Sequence, residues 1–171
     1  MASDTDFTLS LRRLAAYLAC MTLRAKFWET VPLGQMTEAE WEALCDGCGK
    51  CCLNKLEDID TGELLFTRVA CRLFDDATCR CSNYAERKTL VPECVVLTPE
   101  TLDEIAYWMP ETCAYRRLHE GRALPRWHPL ITGDCHSTHR AGISMLGKTV
   151  SEQSLDVEAW EDYPLEEHDQ S

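Results

Sequence analysis

Eight cysteines fall in the fifty residues from Cys45 to Cys94, in the order Cys45-x2-Cys48-x2-Cys51-Cys52, Cys71, Cys79-x-Cys81 and Cys94. Cys20 precedes them and Cys113 and Cys135 follow, giving eleven in 171 residues. This density admits three explanations: disulfides, metal ligands or buried thiols. Buried thiols act as small hydrophobes and occur singly or in pairs, which does not account for such a run. Disulfides need an oxidising compartment. The stretch 7–27 places Arg12-Arg13 before an apolar run, but Asp4 and Asp6 precede the arginines and no small-residue cleavage site follows. It reads instead as an amphipathic helix with Leu11, Leu14, Ala15 and Leu18 on one face and Cys20 as packing. The expected compartment is the reducing cytoplasm, where clustered cysteines point to metal. A C-x2-C pair sets two thiolates on one turn, and Gly47 and Gly49 let the backbone fold closely around an ion.

Composition removes other partners. The chain carries 17 Lys and Arg against 29 Asp and Glu, a net charge of −12, which disfavours nucleic acid because binding phosphates takes a basic surface. No apolar run approaches the ~20 residues of a membrane span. Eight acids and no Lys or Arg lie in 151–171, expected as a solvated acidic C-terminal tail. The element order predicts a capping box at Thr37 and Glu40 opening a short helix. A β-hairpin is expected over Leu56–Ala70, turning at Asp60-Thr61-Gly62. A helix should start at Thr98-Pro99-Glu100 and run through Leu102, Ile105 and Trp108, with a second of about ten residues ending at Gly121. A strand is possible near Ile143–Val150. The fold class is therefore α+β: a small, irregular, metal-stabilised domain with short helices and a β-hairpin around the cysteine cluster. Without a Gly-rich phosphate loop, nucleophile elbow or Rossmann fingerprint, the sequence names no catalytic residue. His128, His136 and His139, with Asp134, are read as a packed turn and a surface loop rather than a second site.

The run Cys45-Asp46-Gly47-Cys48-Gly49-Lys50-Cys51-Cys52 resembles the signature of the CxxCxxCC zinc- or iron-chelating proteins, the YkgJ-like cysteine-cluster family, and within it the YcgN branch. Lys55-Leu56-Glu57-Asp58, Val69-Ala70-Cys71-Arg72, Thr78-Cys79-Arg80-Cys81, Thr112-Cys113-Ala114-Tyr115-Arg116 and Trp127-His128-Pro129-Leu130 extend the resemblance across about 27–150. It implies a cysteine-cluster domain over 27–150, a helical extension over 1–26 with Met21 as an alternative start, and the tail over 151–171. It also implies nine metal ligands: Cys45, Cys48, Cys51, Cys52, Cys71, Cys79, Cys81, Cys94 and Cys113. Cys20 and Cys135 lie outside the pattern.

Nine thiols exceed one tetrahedral site. Adjacent Cys51 and Cys52 point in divergent directions, so they serve different metals or one of them bridges; two four-thiolate sites or a small polynuclear cluster would use most of the set. Zinc accepts four thiolates. Cys45-x2-Cys48-x2-Cys51 copies three ligands of the bacterial ferredoxin run, but the fourth position is Lys55, so a remote cysteine such as Cys94 has to complete it. The cysteine signature is also similar to that of cluster-bearing flagellin lysine methylases, an analogy toward iron. Both an iron–sulfur cluster and zinc stay open, iron first. The expected function is a cytosolic metal-binding protein; an iron–sulfur redox or modifying component, or a metal buffer or sensor, is the alternative.

Overall fold

A computed structural model describes residues 23–166. The expected N-terminal helix with Leu11, Leu14, Ala15, Leu18 and Cys20 lies outside the described residues. The chain divides into two compact units, one ending at Leu44 and one beginning at Cys45.

In the first unit, helix α1 (Phe27–Thr30) is followed by a 3-10 turn at Leu33–Gln35 and helix α2 (Glu38–Ala43). The capping box forms as expected: Thr37 Oγ1 accepts the Glu40 N–H at 3.3 Å, and Glu40 Oε2 accepts the Thr37 N–H at 2.9 Å. Glu40 is buried and also takes the Arg24 Nε–H at 2.7 Å and its backbone N–H at 3.1 Å. These bonds, with the guanidinium's charge, hold the carboxyl at about 2.

The second unit is built on the expected hairpin. Strands β1 (Leu53–Glu57) and β2 (Leu64–Ala70) pair antiparallel in the register Leu56↔Leu65 and Glu57↔Leu64, with an irregularity between Leu53 and Lys55. Asp58 makes the turn: its Oδ1 accepts the N–H groups of Asp60 (3.0 Å) and Thr61 (2.7 Å). Strands β3 (Phe74–Asp75) and β4 (Arg80–Cys81) form a separate antiparallel pair. Strand β5 (Val150–Ser151) then adds to β2 in parallel, Val69↔Val150 and Ala70↔Ser151, giving the order β1-β2-β5. Of the expected 143–150 strand only Val150 belongs to β5.

The helices are shorter than their sequence signals. Helices α3 (Arg87–Leu90), α4 (Leu102–Ile105), α5 (Ala114–His119), α6 (Pro129–Thr132) and α7 (Ser137–Arg140) span one or two turns each. Thr98 does cap, but its hydroxyl accepts from Thr101 N–H at 3.3 Å. That holds 98–101 as a turn and delays α4 to Leu102, and a 3-10 turn at Ala106–Trp108 replaces its continuation. Among the described residues no helix is long and apolar enough to cross a membrane.

The start of the acidic segment is not a solvated tail. Glu152 Oε2 accepts from Asn54 Nδ2 at 2.9 Å, and its Oε1 accepts the Arg72 backbone N–H at 2.9 Å. Further on, Phe66 O accepts the Leu165 N–H at 2.7 Å. Leu165 is buried with Leu53, Ala70, Cys79 and Met145, and Phe66 and Phe74 close over this cluster. Charge count alone hid these anchors, because it does not distinguish Glu152, bonded to Asn54 and Arg72, from exposed acids such as Glu158 and Glu161.

Candidate metal centre

The loop that carries the first four cysteines is pinned from both sides. Asp46 Oδ1 accepts the Cys48 N–H at 3.1 Å, closing a tight turn. The Cys48 carbonyl accepts the Met145 N–H at 2.9 Å and the Cys79 thiol at 3.4 Å. Gly49 has φ 80°, and a Cβ there would stand 2.7 Å from Cys79 Sγ and 2.8 Å from the Phe74 ring. No other residue fits. A 3-10 turn at Lys50–Cys52 leads into β1, and Cys51 Sγ and Cys52 Sγ lie 3.9 Å apart.

Around that dipeptide the remaining thiols group by the charges that act on them. Cys52 adjoins the sheet through its backbone. Its carbonyl accepts the Cys71 N–H at 2.9 Å, Cys81 sits on β4 opposite Phe74, and Cys94 follows α3, its carbonyl taking Lys88 Nζ at 3.0 Å. Burial lifts Cys71 and Cys94 above the ordinary thiol range, with Cys94 charge adding at Cys71 and Cys81 charge adding at Cys94. Cys71 and Cys81 likewise repel a thiolate on Cys52, which its bond to Cys51 and burial already disfavour. Cys45 is exposed and Cys48 and Cys113 are half-buried; crowding by the surrounding protein, reinforced by the Cys51 charge, raises all three above the ordinary thiol range. Cys51 itself is moved down, because its sulfur accepts from Cys52 and Lys55 lies close by. The Cys51 charge also reaches Cys79 and Cys94, so the groups meet at the dipeptide.

Cys79 stands apart in kind. It is 3% exposed, belongs to the apolar core, has φ 54°, and spends its S–H on the Cys48 carbonyl. Cys135 is exposed in the turn before α7. The ten described cysteines are all free thiols. Among the described residues no group of three or more His, Cys, Asp or Glu side chains is placed to hold a metal ion. The imidazoles have other work: buried His128 caps α6 by accepting the Leu130 N–H on Nδ1 at 3.1 Å, and His139 Nδ1 is bonded to Ser144 Oγ at 2.7 Å. His136 is exposed on α7's first turn.

Sequence reasoning passed over Lys55. Its ammonium sits 4.4 Å from the Trp108 ring centroid and 5.3 Å from that of Phe66, and it donates to the carbonyls of Leu53 (2.7 Å) and Lys50 (3.3 Å). Burial lowers it to about 8, against the opposing pull of Cys51, Cys52, Cys48 and Cys113. One signal was available: in strand alternation Lys55 falls on the side of Leu53, the inward side.

Comparison with known proteins places this geometry. Residues 44–114, which hold all nine expected ligands, match the family model described as "CxxCxxCC: Putative zinc- or iron-chelating domain". A UPF0260 protein of Rhodobacter capsulatus is 61% identical over 145 residues, covering 85% of this chain and 97% of the relative. One from Caulobacter sp. strain K31 is 60% identical over 135 residues, 79% of this chain and 83% of the relative. One from Rhizorhabdus wittichii is 62% identical over 132 residues, 77% and 90% respectively. No solved structure matches. With identity this high over most of its length, and with the CxxCxxCC region at its centre, the chain belongs to the UPF0260 family.

Proposed function

We propose that this chain is a metal-binding protein with two four-thiolate centres. Cys45, Cys48, Cys51 and Cys113 form one; Cys52, Cys71, Cys81 and Cys94 form the other; Cys79 serves the core. The reading is supported by the Cys51–Cys52 pair, 3.9 Å apart: the Cys51 charge acts on Cys45, Cys48 and Cys113, while Cys71 and Cys81 act on Cys52. The donor set fits the ions: soft thiolates in fours serve a closed zinc site or an iron–sulfur cluster. Among the described residues no three such side chains are placed to hold an ion, so the reading requires the thiols to deprotonate and close in as metal enters. In the first centre Cys113 takes the fourth place, where the sequence alone suggested Cys94, and the ferredoxin-like spacing favours iron there. A set of free thiols this large suits a reducing compartment such as the cytoplasm.

Anaerobic purification with metal and acid-labile sulfide analysis tests this. The expected wild-type content is two zinc ions or two clusters per chain, iron with sulfide identifying the latter. Cys48→Ser should lose one centre, Cys71→Ser the other, and Cys79→Ala neither. Full occupancy in both serine variants would refute the assignment.

A further inference from the structure

Lys55 lies beside the turn that carries Cys51 and Cys52. It belongs to β1, yet its ammonium is enclosed by the rings of Trp108 and Phe66 and held by two backbone carbonyls. Among the described residues the ion pairs involve Arg24, Lys26, Arg72, Arg116, His119, Arg122 and Arg140. None joins Lys55 to a carboxylate. A half-buried ammonium without a carboxylate is unfavourable, and the two carbonyls that hold it flank Cys51 and Cys52 in the chain, whose sulfurs are negative once they ligate metal. Four thiolates outweigh the charge of a divalent ion by two, so two adjacent centres repel each other as they fill. One fixed cation beside them offsets part of that. An ammonium has three N–H donors; the carbonyls account for two, leaving one for the sulfur side.

We propose that Lys55 is the counter-charge of the thiolate centres, a positioning residue that raises metal affinity at the Cys51–Cys52 turn without ligating metal. This rests on the metal-binding reading above. The aromatic contacts fix the cation in place, since a lysine free to swing into water would offset nothing. Partners just outside a metal's own ligands typically change its affinity 10–100-fold, and that is the size expected here.

Cobalt(II) is the probe, because thiolate-to-cobalt charge-transfer bands report each centre without catalysis. Reduced full-length wild type, Lys55→Met and Lys55→Arg are titrated with Co2+ under argon and challenged with EDTA, with circular dichroism recording the fold. Lys55→Met keeps the stem and its apolar contacts but not the charge. It is expected to surrender cobalt at 10–100-fold lower EDTA and to shift the charge-transfer bands. Lys55→Arg, keeping charge and stacking, should hold cobalt within about threefold of wild type. Lys55→Met holding cobalt like wild type overturns the assignment, and so does equal weakening in both variants, which would mark a steric role. A wild-type chain that takes up no cobalt overturns both this assignment and the metal reading beneath it.

Discussion

At Gly49 a single hydrogen in place of a methyl group decides whether the thiol loop closes. Gly49→Ala puts a Cβ inside the contact distance of Cys79 Sγ and the Phe74 ring, in a left-handed conformation. Overpacking costs about 1–3 kcal/mol, and the strained backbone adds roughly 1 kcal/mol more. Gly62 has a similar φ of 71° but nothing within 4 Å, so Gly62→Ala should show only the smaller part. Urea denaturation of the two variants, equally metal-loaded, should therefore separate them, and equal midpoints would mean that the loop yields. Glu40 gives the pH prediction. Its carboxyl is held at about 2 in the folded protein, against an ordinary value of 4.5. A lowered value means that the charged form belongs to the folded state. This stabilisation is complete above 4.5 and is lost as pH falls toward 2. Glu40→Gln should flatten the pH dependence of the first unit's stability across that window, and a carboxyl NMR titration should place the Glu40 midpoint near 2.

Among the elements, legibility followed distance along the chain. The capping box needs only Thr37 and Glu40, and the hairpin needs only its alternation and Asp58 turn; both were readable because their partners are neighbours. Strand β5 was legible only at its edge: the strand expected near 143–150 reaches Val150 alone. Val150 and Ser151 are extended where β2 offers an open edge, and Glu152 secures them through Asn54 and Arg72. Thr98–Glu100 was half legible: the capping hydroxyl acts, but on a turn that comes before the helix. At the thiols, spacing alone singled out the members of the CxxCxxCC run, while the division at Cys51–Cys52 and the core role of Cys79 depend on which strands meet. The 151–166 segment provides a test at this scale. Leu165→Ala removes a side chain 3% exposed from the central cluster and should cost about 2–5 kcal/mol. Cutting after Tyr163 should cost at least as much, because the Leu165–Phe66 backbone bond goes too. Thermal melts would show it, and an unchanged midpoint would return this segment to the solvated tail that its charge suggests.

For the molecule as a whole, the apolar burial of the second unit is spread out: Leu53, Ala70, Cys79, Met145 and Leu165 form one cluster under two phenylalanines, while Val91, Leu102, Met109, Tyr115 and Leu124 are buried outside it. If the thiol groups hold metal as proposed, binding contributes ~10–16 kcal/mol per structural site, which becomes folding energy where the site does not exist in the unfolded chain. Removing metal under reducing conditions should therefore open the second unit, with new protease cuts near Asp60 and Asp75 and the capped α2 partly retained. A metal-free, reduced chain as resistant as the loaded one would make the thiols a store rather than a scaffold. The Met145–Cys48 bond and the parallel strand at Val150 also set an order of manufacture. A growing polypeptide extrudes all nine pattern cysteines and the bare rim of β2 before the residues that clamp them have been translated. Ribosomes that stall or terminate ahead of Met145 consequently release a product with an open sheet edge and unshielded sulfur, prone to strand pairing and oxidation. For such a protein, completing translation is part of protecting the thiols.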